Sequence, residues 1–179
     1  MTWQIEPMPL HGPLFEGAIT VYGAAFAEPP YSDDERAGEV QRRIRDVHSR
    51  RAAFRGFVAV EAGRVLGMIY GYHGARGQWW HDTVANQLGR ATATDWLSDS
   101  YELVEVAVDP GSQSRGIGAA LINQLLEGRT EATSVLSTRT DSRAHVLYRR
   151  LGYEEITVMR FASAGADFYI MGKRLGIKG

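Results

Sequence analysis

The sequence predicts one mixed α/β domain of the α+β type, and three observations carry that prediction. Strand hairpins stand towards both ends of the chain: Phe57 to Glu61 with Val65 to Tyr72, turning about Ala62-Gly63-Arg64, and Tyr153 to Phe161 with Phe168 to Lys173. Segments of helical period separate the strands, so the order is neither all-β nor a regular βαβ series. In the middle, the apolar strand Tyr101 to Val108 passes through the turn Asp109-Pro110-Gly111 and the glycine-bearing stretch Gln113 to Ala119 into an amphipathic helix.

The elements follow in order. Trp3-Gln4-Ile5 reads as a short first strand. Pro13 to Phe26 has helical spacing, with Leu14, Ile19, Tyr22 and Phe26 apolar, and Glu28-Pro29-Pro30-Tyr31 stops it. Ser32 reads as the N-cap of a second helix, with Asp33, Asp34 and Glu35 in its first turn and Arg50-Arg51 at its end. After the first hairpin, Gly74 to Ser100 reads as a long irregular region, the signature of a functional loop or a disordered one. Trp79, Trp80 and Trp96 argue against disorder, because disordered segments are poor in aromatics. A helix over Gly116 to Glu127, a strand over Ser134 to Thr138 and a helix over Ser142 to Leu151 lead into the last hairpin.

Composition bounds the function. With 179 residues and 44% hydrophobic content, a single domain over residues 1–179 has room for a proper core. A net charge of −1 supplies no global field for nucleic acid or an anionic membrane, so neither is expected as a partner. The absence of cysteine excludes disulfides, thiolate metal sites and a cysteine nucleophile, and suits a reducing compartment. Met1 to Leu10 has no basic, apolar run of the signal-peptide kind, and no stretch approaches the ~20 apolar residues of a membrane helix. A cytoplasmic location is therefore expected. His73 and His81 have only weak metal spacing, and no metal is expected.

The segment Gln113-Ser114-Arg115-Gly116-Ile117-Gly118-Ala119 combines a strand, a loop and a helix start, which together make an anion site. The first helical N–H groups have no partner within the helix, and the helix dipole adds partial positive charge there. Glycine lets a phosphate approach the backbone. A nucleotide-triphosphatase loop would need Gly-Lys-Ser/Thr, which is missing, and the dinucleotide fingerprint would need a third glycine where Leu121 stands. The pattern Gln/Arg-x-x-Gly-x-Gly/Ala fits without a gap. It resembles the acyl-coenzyme A loop of the GNAT superfamily, the GCN5-related N-acetyltransferases. About 30 residues on, Asp141-Ser142-Arg143-Ala144-His145-Val146-Leu147-Tyr148-Arg149-Arg150-Leu151-Gly152-Tyr153 is similar to that family's second signature, with Asp141 where the family has Asn.

The resemblance covers Tyr101 to Met159 closely and the N-terminal part in layout. It implies a central, mostly antiparallel sheet splayed open between its fourth and fifth strands, here Tyr101–Val108 and Ser134–Thr138, with acetyl-CoA entering the split. It implies that Gln113, Ser114, Arg115, Gly116, Ile117, Gly118 and Ala119 hold the pyrophosphate. Val106 and Val108 would offer backbone hydrogen bonds to the pantetheine arm, and Asp141 would lie at a coenzyme contact. Tyr148 would protonate the leaving thiolate, a step open to a phenol with an ordinary pKa of about 10. Deprotonating the acceptor needs a base, and Glu102 and Glu105 both lie on the strand before the loop. Alignment on the loop favours Glu102. Strand alternation sends the two glutamates to opposite faces, and a bulge would change that.

Tyr31, Trp79 and Trp80, with His81, are the candidates for acceptor binding. The tryptophans could line an apolar or cationic pocket or simply pin a long loop to the core. The resulting reading is an acetyl-CoA-dependent N-acetyltransferase acting on a small-molecule amine by direct attack. Its rivals are a non-catalytic acyl-CoA sensor or partner module, and a dinucleotide-binding fold with a parallel sheet. A homodimer is possible, with Phe168 to Lys173 as an unpaired edge strand that adds across an interface.

Overall fold

The structure, a computed structural model, describes residues 2–176; Met1 and residues 177–179 of the expected domain lie outside the described residues. Seven strands form one sheet: β1 (Gln4–Pro7), β2 (Arg55–Glu61), β3 (Arg64–His73), β4 (Ser100–Val108), β5 (Thr133–Arg139), β6 (Glu154–Met159) and β7 (Phe168–Arg174), in the order β1-β2-β3-β4-β5-β7-β6. Among the described residues six α-helices join them: α1 (Pro13–Ala27), α2 (Arg36–Asp46), α3 (Trp79–Leu88), α4 (Arg90–Leu97), α5 (Ile117–Leu126) and α6 (Ala144–Arg150). The sheet is mixed and mostly antiparallel, as expected. Its parallel pair, β4 with β5, covers only Ser100↔Thr133, Tyr101↔Ser134 and Glu102↔Val135. Past Val135, β5 runs on to Arg139 paired with β7.

The chain clusters into two compact units. The first takes the residues up to Tyr72 together with Leu103–Glu127. Pro13 at the first turn of α1 pre-sets its backbone. The apolar stripe Phe15, Ala18 and Tyr22 packs with Val40 and Ile44 of α2 and with Val58, Met68 and Tyr70 of the hairpin. Gly67 in β3 lets α5 sit close, since a Cβ there would lie 3.0 Å from Ile117 and 3.2 Å from the Ala107 carbonyl. The second unit takes His73–Glu102 and the residues from Gly128 onward. Val84, Trp96, Leu97, Val135, Met159 and Ile170 form its core.

Three expectations need correction. The region Gly74 to Ser100 is not irregular but contains α3 and α4, joined at Gly89, whose φ of +79° favours glycine. The second helix starts at Arg36 and not behind Ser32. Ser32 has φ 47°, the Asp33 amide donates back to the Phe26 carbonyl, and the Asp33 carboxylate accepts from the Glu35 amide, so the acidic run makes a turn before any helix begins. Finally, β7 is not an edge strand. It lies between β5 and β6 and pairs with both, which removes its role as a free edge for a dimer; β6 stands at the end of the order.

The tightest approach in the second unit is at Gly172, where a Cβ would lie 2.5 Å from the Trp96 ring and 2.8 Å from Ile156. Trp96 cannot retreat easily, because Arg174 stacks 3.7 Å over its ring and Thr133 bonds its carbonyl at 2.7 Å. Gly172→Ala is therefore expected to destabilise the protein by about 1–3 kcal/mol, read as a lower urea midpoint at unchanged slope.

Candidate active site

In the first unit the loop that leads into α5 is built from below. The Asp109 amide donates to the Leu66 carbonyl at 2.8 Å, Ser112 donates to the Asp109 carboxylate, and Arg64 pairs with the same carboxylate at 3.2 Å. These contacts pin a one-turn helix over Pro110–Ser112. The chain then passes Ser114 at φ 64° and Gly116 at φ 79°, where Gly116 caps α5 in the left-handed region with no side-chain cap bond. A Cβ at Gly116 would meet nothing within 4 Å, so open space lies over that residue. The first-turn amides of α5, starting at Ile117, Gly118 and Ala119, are the uncapped donors of a helix start. Arg115 is held by Glu61 of β2 at 2.7 Å, and that hydrogen bond keeps the Glu61 carboxyl below its ordinary range. Val106 and Val108, both half-buried, lead into this loop.

The same unit holds a buried charge network that sequence reading missed. The Glu105 side chain is 11% exposed and lies 3.8 Å from the Arg36 guanidinium. Arg36 donates to the Tyr22 hydroxyl at 2.7 Å and lies over the Phe26 ring at 4.1 Å, with Tyr31 packed on Phe26 at 4.5 Å. Burial raises the Glu105 pKa, and the opposing pull of Arg36 and Tyr22 does not cancel it. Burial likewise raises Tyr22 and Tyr70, with Glu105 adding to both. Tyr70 meets His48 at 2.9 Å, and burial, reinforced by Arg51 and Arg43, pushes the imidazole down to about 4. Tyr22 reads in sequence as one member of an apolar stripe and Arg36 as an ordinary helix residue; only their convergence on Glu105 marks them. Alternation along β4 breaks over Val104, Glu105 and Val106, which are all half-buried in succession.

In the second unit Glu102 is buried at the last position where β4 pairs with β5. Tyr148 of α6 is also buried and meets Tyr153 edge-on at 5.9 Å; the Tyr153 hydroxyl bonds Ser134 at 2.7 Å. Gly152, at φ 94°, makes the turn between them. Asp141 is engaged by Arg139 through two bonds of 2.9 and 2.8 Å, and that hydrogen bonding lowers its carboxyl pKa. The paired tryptophans divide. Trp80 donates its indole N–H to Ser137 at 3.0 Å and packs on the core, so it anchors the segment. Trp79 is 66% exposed and lies 5.5 Å from Phe161. His81 is buried, with its nitrogens facing Asp82 and the Leu97 carbonyl at 3.2 Å each. Among the described residues no three His, Asp or Glu side chains form a metal-binding group, and no helix is long and apolar enough to cross a membrane.

Residues 52–155 match the acetyltransferase (GNAT) domain family, and the chain belongs to that family. A GCN5-like protein acetyltransferase of Mycobacterium tuberculosis is 43% identical over 121 residues, which is 62% of this chain and 59% of that protein. An N-alpha-acetyltransferase of the same organism, RimI, is 37% identical over 79 residues, 42% of this chain and 50% of that protein. The chain thus spans between half and three-fifths of the length of these two relatives. The PaiA N-acetyltransferase of Thermoplasma acidophilum, solved in complex with coenzyme A, superposes with a TM-score of 0.62 at 14% identity, over 98% of this chain and all of that one, and shows the fold.

The His48 shift has a consequence for stability. A folded pKa near 4 against about 6.5 unfolded means that the unfolded chain binds the proton more tightly. Stability is expected to fall as pH drops from about 6.5 to about 4, by at most about 3 kcal/mol. Glu105, raised above its ordinary value, acts with the opposite sign as pH rises through that raised value. The difference between the wild type and His48→Gln isolates the histidine. Urea unfolding across this range should show a shallower acid loss in the variant, and parallel profiles would contradict the assignment.

Proposed function

We propose that the chain is an N-acetyltransferase that moves the acetyl group of acetyl-CoA to a primary amine by direct attack in a ternary complex. The observation that carries this reading is the start of α5, where a left-handed Gly116, open space above it and uncapped helix amides make an anion cradle inside the family's coenzyme signature. Acetyl-CoA supplies an acyl group activated as a thioester. In this reading Gln113 to Ala119 bind the pyrophosphate, and the main chain at Val106 and Val108 orients the pantetheine arm. The ammonium proton goes to a carboxylate, Glu102 or Glu105, which later releases it to solvent; the amine nitrogen then forms a bond to the acyl carbon, the carbon–sulfur bond breaks, and the Tyr148 hydroxyl donates a proton to the thiolate, while the second proton shed by the acylated nitrogen as it becomes a neutral amide restores the phenol through solvent. A buried carboxyl with a raised pKa is better matched to an amine than an ordinary one, which supports Glu105.

Two acceptor classes have support. The names of the two M. tuberculosis relatives support a protein amine. A small-molecule amine is supported by the α3–α4 pair, which walls a cavity of about 630 Å³ within the second unit.

Thiol release from acetyl-CoA, measured against polyamines, aminoglycosides, amino acids and short peptides with free N-termini, tests the reading, and the cysteine-free chain adds no thiol of its own. At least one amine should raise release above the hydrolysis blank. A blank panel, with coenzyme A still raising the melting temperature, would favour the non-catalytic sensor. With the best acceptor, Tyr148→Phe is expected to lower turnover about 100-fold at unchanged coenzyme affinity. Equal turnover would remove the tyrosine from the acid role.

A further inference from the structure

The cavity of about 630 Å³ in the second unit is walled by the end of β3, by α3 and by α4. Its charged lining is of one sign: Arg76 and Arg90 contribute to it, with the imidazoles of His73 and His81 alongside, and no carboxylate does. The chain as a whole has a net charge of −1, so this concentration is local. Most arginines of the protein are ion-paired, bonded to main-chain carbonyls or stacked on rings, as Arg115, Arg129, Arg139 and Arg174 are. Arg76 and Arg90 make no ion pair or side-chain hydrogen bond among the described residues, and both are exposed. Their donors are therefore available to a ligand.

The rest of the wall is held in place. His81 is fixed between Asp82 and the Leu97 carbonyl, which ties α3 to α4. His73 lies 3.8 Å from Glu131, a buried carboxylate that Arg129 grips at 2.8 Å. Asp82, next to His81, is taken up by the Gly77 amide at 3.0 Å and by His81, and Asp95 is taken up by Arg174 at 2.7 Å. Gly89 and Arg90 of the lining open α4, whose first turn has no side-chain cap. Ala85, Ala93 and Leu97 add apolar surface beside the two arginines. A guanidinium presents its N–H groups as a planar fork that matches the two oxygens of a carboxylate or phosphate. A volume of this size suits a small organic molecule.

We propose that this cavity is a binding site for a small organic oxyanion, a carboxylate or phosphate held by Arg76 and Arg90 with a short hydrocarbon body against Ala85, Ala93 and Leu97. The anion comes either from the acceptor amine itself or from a separate effector, and the chemistry of recognition is the same. The site lies wholly within the second unit and uses none of the coenzyme loop.

Isothermal titration of the full chain at low salt tests this, with succinate and inorganic phosphate as probes and uncharged succinamide as the control. At least one of the two anions is expected to bind and succinamide to stay silent. The double variant Arg76→Gln/Arg90→Gln changes two exposed side chains. It is expected to weaken anion binding at least about tenfold while leaving the melting shift with coenzyme A unchanged. Glutamate against succinate distinguishes the sources: tighter binding of glutamate assigns the anion to an amine-bearing acceptor, and equal binding assigns it to an effector. Silence from both anions, or equal binding by wild type and variant, would overturn the proposal. So would loss of the coenzyme shift in the variant, because the arginines would then serve the coenzyme. Failure of the acetyl-transfer reading has a different sign, no coenzyme A shift in either protein, and it leaves the anion titration readable.

Discussion

The start of α5 is the constraint on which the functional reading depends. A helix N-terminus exposes donors that something must satisfy, and most helices use a serine, threonine or aspartate side chain for that. Here the capping residue is Gly116, which has no side chain to offer and takes a left-handed backbone that other residues adopt only with strain. The helix is nonetheless held firmly. Its apolar face, including Leu121, Ile122 and Leu125, is fully buried, and Gly67 of β3 lets Ile117 and Leu121 approach the sheet closely. A rigid helix with an open, uncapped end costs some local stability, and that cost is intelligible if an anion completes the cap.

The charge network at Glu105 shows a second use of burial. A carboxylate taken out of water needs partners, and Arg36 and Tyr22 supply them from two helices that otherwise only pack. The partners do not restore an ordinary pKa, so burial prevails and the group is tuned upward. His48 and Tyr70 extend the same buried polar layer, and there burial acts on an imidazole in the downward direction. One physical cause, desolvation, thus moves acid and base in opposite senses within a single layer of side chains.

Much of this was legible in the sequence, for identifiable reasons. The hairpins, the strand before the loop and the two signatures depend on local chemistry: glycine where the backbone must be left-handed, tyrosine on a short helix, glycine again before an aromatic. Those signals survive without tertiary context. The α3–α4 pair did not, although Trp80, Val84 and Leu88 stand at four-residue spacing and pack on one core cluster. The intervening polar residues and the glycine between two short helices hid that stripe. The start of α2 was misplaced because a serine followed by an acidic run reads as an N-cap and first turn, whereas here the Asp33 carboxylate closes a turn before the helix. The Arg36–Tyr22–Glu105 network could not be read at all, since it depends on three elements meeting. The position of β7 in the sheet likewise depends on a pairing that no local pattern encodes.

The most direct measurement is a ¹H–¹⁵N amide map of the protein titrated with coenzyme A, with NAD as the comparison. The account predicts that coenzyme A moves the amides of Gln113 to Ala119 most strongly and that NAD leaves them in place. Coenzyme A shifts that avoid the start of α5, or equal shifts with NAD, would contradict it.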